Sequence, residues 1–208
     1  MLRQMASIFL ALVASGCMGS ATTSIDANNT LTEQIQGNSD YNELIEYGNQ
    51  ISQLTDLSAA LTDQDIPSSG AAIYRGTVSA GLQGDAVNYE AAGLVEIEVE
   101  FATGDVDGVI NDIVTSDGAE LIGELSVVGG SVSTQTSENY GYHLSGEIDG
   151  EIESETGAVF EVDALLLGDF FDDAQSVAGI IIGSAGSGAE SLELVDGVWI
   201  AAQGSEPD

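Results

Sequence analysis

Three kinds of side chain in this 208-residue chain could do chemistry. The first is a single thiol, Cys17, which ends the run Ile8-Phe9-Leu10-Ala11-Leu12-Val13-Ala14-Ser15-Gly16-Cys17. A lone thiol can be alkylated but can form no disulfide within its own chain. The second is a single imidazole, His143, in Tyr142-His143-Leu144. Alternation along that segment puts Tyr142 and Leu144 inward and His143 on the outer, polar face. A solvated surface histidine is therefore expected, because a haem ligand or a general base needs a pocket. The third is a population of 35 Asp and Glu residues, densest at Asp105-Val106-Asp107-Gly108 and at Asp169, Asp172 and Asp173. A Ca²⁺ site needs about six to eight oxygens from a defined loop, and neither segment follows the EF-hand pattern. A hairpin turn and a strand connection are expected there instead. Among so many acids some pair will meet glycosidase spacing by chance, so that spacing has no specificity. No catalytic group, cofactor or metal site is expected.

The setting of Cys17 says more than the thiol alone. Arg3 precedes a short apolar stretch, and small residues precede the cysteine. This is the order of a secretory signal peptide, with an apolar core too short to cross a bilayer as a helix. Ala14-Ser15-Gly16-Cys17 resembles the lipobox of bacterial lipoproteins, with Ala14 where leucine is usual. The resemblance implies a signal peptide over residues 1–16, a diacylglyceryl group on Cys17, and cleavage before it. The new amino end would then be acylated by a fatty acid such as palmitate. Each buried CH₂ adds about 0.8 kcal/mol of membrane affinity, so several acyl chains anchor a protein durably. By the sorting rule of enteric lipoproteins, Met18 after the cysteine points to the outer membrane, with the cell surface and the periplasmic face both open.

The formal net charge is −33, and Arg3 and Arg75 are the only Lys or Arg residues. Such a surface disfavours nucleic acid and anionic lipid, because phosphate neutralisation needs Lys and Arg. It suits a basic protein partner, attracts divalent cations weakly, and equally suits a salty medium. Hydrophobic residues make up 43% of the chain, enough for a real core.

Residues 17–38 are rich in Thr, Ser, Asn and Gly and read as a flexible tether from Cys17. Over 39–66, Leu44, Tyr47, Ile51, Leu54, Ser58 and Leu61 recur at steps of three and four, the apolar stripe of an amphipathic helix. Asp40 and Glu43 form a capping box in sequence, and Gly48 is a weak point in the helix. From residue 71 the period switches to two, most strictly in Val95-Glu96-Ile97-Glu98-Val99-Glu100-Phe101. About eight antiparallel strands follow in order, over 70–203. Gly76, Gly108, Gly123, Gly146 and Gly150 fall on the inward phase, which favours a small closed barrel over an open sandwich. An acidic outer face rules out lipid contact through the barrel wall. Phe170 and Phe171 are adjacent, so their side chains are expected on opposite faces, with the outward one packing under the 39–66 helix.

Val99-Glu100-Phe101-Ala102-Thr103-Gly104-Asp105-Val106-Asp107-Gly108-Val109-Ile110 resembles a hairpin of transferrin-binding-protein-B-like lipoproteins. Gly168-Asp169-Phe170-Phe171-Asp172-Asp173-Ala174-Gln175-Ser176-Val177-Ala178-Gly179 resembles that family's Gly-x-Phe-Tyr-Gly-x-x-Ala-x-Glu-x-Gly-Gly pattern. Phe171 replaces the tyrosine, Asp172 a glycine, Ser176 the glutamate and Ala178 another glycine. The likeness spans residues 71–203 and specifies a fold more than an activity. It implies a lipid-anchored, often surface-displayed, non-catalytic β-barrel, several relatives of which bind host proteins or haem- and iron-related ligands. The handle domains used for transferrin have no room here, so neither transferrin binding nor any binding residue transfers. A binding or display module is thus expected, for a protein or a small ligand. The alternative is a structural or accessory periplasmic lipoprotein without a ligand.

Overall fold

The computed structural model describes residues 40–84, 88–134, 140–187 and 190–204. The expected signal peptide of 1–16, the expected lipidation site Cys17 and the expected tether of 17–38 lie outside the described residues. The period-two region forms eight strands: β1 Ala71–Gln83, β2 Asn88–Glu100, β3 Asp105–Thr115, β4 Glu120–Val132, β5 Leu144–Ser154, β6 Val159–Phe171, β7 Ser176–Ser187 and β8 Glu190–Gln203. Each pairs antiparallel with its sequence neighbour, and β8 closes on β1. The expected barrel is the observed fold.

Alternation explains the wall. Tyr74, Val95, Ile97, Val99, Ile110, Leu125, Val127, Ile148, Leu166, Val177 and Trp199 point inward into one core. Glu96, Glu98, Glu100, Glu147, Asp149, Glu151, Glu161 and Asp163 occupy the opposite phase. Tight coiling needs close backbone approach at the seam where the barrel closes. A Cβ on Gly76 would lie 1.9 Å from the Ile200 carbonyl oxygen across β1 and β8. The ladders slip at six places, including Ile110/Ile113 and Ile181/Gly183. Asp112 and Asp196 adopt left-handed φ of 48° and 49° beside two of these slips. Such bulges increase twist and bend the strands around the barrel.

One helix, α1, covers Tyr41–Leu54 and starts at the expected capping box. The Asp40 carboxylate accepts the Glu43 amide at 2.9 Å. The helix is shorter than the 39–66 stripe suggests. Thr55 turns extended, and the Asp56 carboxylate accepts both the amide and the hydroxyl of Ser58. This Asx-type turn gives the backbone a local alternative to helix, and the Asp172 carboxylate takes the Asp56 amide at 3.1 Å. Leu54 is accordingly exposed. Ser58 and Leu61 belong instead to a strap, residues 55–70, that leads from α1 to β1. Leu61 donates its amide to the Phe170 carbonyl, and Ile66 enters the barrel core.

Candidate functional site

The barrel has two unlike ends. At the end where the strap enters, Trp199, Tyr74 and Phe170 are fully buried. Phe170 packs against Tyr74 and Phe101 with ring centroids 6.0 and 5.6 Å apart. The polar atoms of two plug aromatics are satisfied: the Tyr74 hydroxyl donates to the Ala174 carbonyl at 2.7 Å, and the Trp199 indole to the Leu167 carbonyl at 2.9 Å. Burial holds the Tyr74 hydroxyl protonated well above the usual phenol range. Phe171 is buried too, so neither member of the Phe170-Phe171 pair faces solvent.

His143 lies at this same end, and its placement corrects the expectation of a solvated histidine. It is buried, with 4% of its surface exposed. Its Nδ1 is 2.9 Å from Asp169 Oδ1 and its Nε2 is 3.2 Å from Asp63 Oδ1. Its backbone amide also donates to Asp169. The strap supplies Asp63 and β6 supplies Asp169, so the imidazole ties the strap to the wall. Strand alternation does not reach His143, because β5 begins only at Leu144 and His143 lies in the bend before it. Asp169 and Asp172 are likewise structural partners, and Asp105 and Asp107 lie on β3 rather than in a turn. Among the described residues, no three His, Cys, Asp or Glu side chains are grouped to hold a metal ion.

The helix sits flat on the outside of β1, β2 and β8. Leu44 packs with Ala92 and Val114, and Tyr47 and Ile51 pack with Ile200. Gly48 makes this possible, since a Cβ there would come 2.4 Å from Thr77 Oγ1. In the sequence alone, Gly48 reads only as a helical weakness. Arg75 forms an ion pair with Glu96 at 2.6 Å on this side.

The wall away from α1 carries carboxylates in register. Glu124, Glu151 and Glu161 lie side by side across β4, β5 and β6, and Asp149 opposes Asp163. On β2 and β3, Glu98 opposes Asp107 and Glu100 opposes Asp105. Like charges directly opposite one another destabilise a sheet.

The end opposite the strap, called the hairpin end for its β3–β4 and β5–β6 turns, is less filled. Three inward positions there are small, Ala91, Ala164 and Ala185, and a cavity of about 60 Å³ lies beside them. Its lining is apolar, including Leu82, Ile113, Leu121 and Ile152, and it is only partly enclosed. The exposed Glu90, Asp117, Glu120 and Glu155 stand around this end.

The fold and its surface thus define a class, a small closed barrel with an acidic exterior, an external helix and a strapped end. No protein-family model matches the chain, and a search of curated proteins finds no match. Among solved structures the chain is similar to a transferrin-binding protein B, a vaccine antigen from Haemophilus parasuis Hp5, at 15% identity and a TM-score of 0.46. The match covers 71% of this chain and 28% of that one. The resemblance read from the hairpins is met again here as a likeness of fold, without family membership.

Proposed function

We propose that this protein is a non-catalytic, lipid-anchored envelope protein that presents its acidic barrel as a binding and display module. The carrying observation is the in-register row Glu124–Glu151–Glu161, with Asp149 opposite Asp163 beside it. Carboxylates kept side by side against their own repulsion suit a cationic partner, which they would also steer toward encounter. The non-catalytic part rests on His143, whose two ring nitrogens face Asp63 and Asp169 in a buried site and are committed to holding the strap. The anchor rests on Cys17 and the residues before it. Protease shaving of intact cells, with detection of the barrel, tests the reading. Loss of the barrel signal supports display to external partners. Full protection until the outer membrane is opened overturns surface display.

A second reading has its own observation. Opposed carboxylates also occur on β2 and β3, so the acidity is spread around the barrel rather than gathered on one wall. That distribution suits an accessory envelope protein adapted to a salty medium, whose stability rises with screening.

A further inference from the structure

We infer that the cavity at the hairpin end of the barrel is a binding site for the alkyl chain of a small cationic amphiphile. The chain would enter the bore, and the charged head would remain among the carboxylates at the mouth. This goes beyond the display role and needs neither the lipid anchor nor a protein partner.

The two ends of the bore differ in shape. The same barrel that is packed solid by Trp199, Phe170 and Tyr74 at one end carries Ala91, Ala164 and Ala185 at inward positions of the other. The space left is about 60 Å³ and is open rather than sealed. It has room for water, but an apolar cavity offers water no partners and takes an apolar guest instead. An open side lets the end of a chain occupy the cavity while the remainder extends outward. Chemistry then fixes the guest's polarity. Ser79 is the one side chain with a hydroxyl among the lining residues, so the bore cannot solvate a charged or strongly polar head. The head must stay at the rim.

Charge fixes its sign. Glu90, Asp117, Glu120 and Glu155 are exposed around that end. Arg75, the only Lys or Arg after Arg3, lies near the strap end of β1 and is paired with Glu96. An anionic head such as a carboxylate meets repulsion from the rim and from the whole protein, while a quaternary or protonated amine is attracted.

The test uses the whole chain carrying Cys17→Ser, which avoids acylation and therefore detergent. Octyltrimethylammonium, 1-octanol and octanoate are titrated in low salt, followed by calorimetry and by methyl NMR shifts of Ile113, Leu121 and Ile152. The expected result is saturable binding of the cation, with shifts at those methyls, about tenfold or more tighter than octanoate. Ala164→Leu and Ala185→Leu should each abolish binding by filling the bore, with circular dichroism showing the fold retained. If one of them does not fold, the other supplies the readout, with Ala91→Leu in reserve. The double variant Asp117→Asn with Glu120→Gln should reduce the advantage of the cation over octanoate and leave octanol unchanged. Absence of saturable cation binding, binding that survives the filled variants, or octanoate binding as tightly as the cation would each overturn the inference.

Discussion

The two ends of this barrel are built from the same eight strands yet solve the problem of an open cylinder in opposite ways. At the strap end the chain crosses its own barrel, inserts Ile66, and locks itself down through His143 and the Leu61–Phe170 hydrogen bond. At the hairpin end, aliphatic side chains and three alanines stand where the other end has its aromatic plug, and a cavity remains. The difference teaches that closure of the sheet does not itself fill a barrel: side-chain volume at a few inward positions decides whether an end is core or vestibule. The largest expected difference follows from this. Phe170→Ala should cost about 3–5 kcal/mol, because a fully packed plug cannot collapse around the void. Leu121→Ala, beside a cavity that already lacks partners, should cost only about 2 kcal/mol, the low end for such truncations. Urea unfolding of the two variants measures both, and equal losses would break the comparison.

A second prediction sharpens it at the surface. His143→Ala leaves Asp63 and Asp169 without their shared partner and should loosen the strap alone. A loss of about 1–3 kcal/mol in local opening is expected. Hydrogen exchange reads it as roughly ten- to hundredfold faster exchange of the Leu61 amide. The Thr115 amide, bonded to the Ala119 carbonyl at the other end, should be unchanged. Equal acceleration at both would mean that the histidine supports the whole barrel.

The same contrast separates what could be read from the sequence and what could not. The strands were legible where they alternate with period two, and Val95 through Phe101 states its inward face residue by residue, whereas β1, β3, β7 and β8 alternate less regularly. Strand number, closure and the inward glycines follow from such local patterns. The capping box at Asp40 was legible for the same reason. His143 was not, since its burial depends on Asp63, which is 80 positions away along the chain and reaches it only by way of the strap. The strap itself was hidden because Ser58 and Leu61 continue the helical spacing, while the Asp56–Ser58 turn and the distant Asp172 end the helix. The cavity was equally hidden: an alanine satisfies the apolar alternation as well as a leucine does, and only the assembled barrel shows the missing volume.

Gly48 provides a smaller test, of the contact between helix and wall. Alanine is the better helix former by about 1 kcal/mol, so a free helix would gain from Gly48→Ala. On this wall the new methyl meets Thr77 Oγ1, and a net loss of about 1 kcal/mol is expected from overpacking. Thr77→Ala in the same chain should restore the helical gain. Thermal unfolding of the single and double variants decides between a seated helix and a loosely held one.

The smallest effect concerns how each end meets high pH. Near the hairpin end Tyr41 donates to Glu90 at 3.1 Å, and burial together with that carboxylate pushes its hydroxyl up to about 12. The folded protein therefore holds this proton more tightly than the unfolded chain, whose tyrosines titrate near about 10. The stabilisation is complete below about pH 10 and is lost as the pH rises through about 12. Tyr41 is only partly buried, so its ionisation should be gradual and should leave the barrel closed. Tyr74, sealed in the plug, should ionise only when the strap end opens, in one cooperative step. Tyrosinate absorbance, compared between Tyr41→Phe and Tyr74→Phe, resolves the two: the first should remove a shallow rise and the second part of a steep one. If Tyr74 instead titrates gradually without loss of tertiary structure, the plug is permeable and the two ends differ less than their packing indicates.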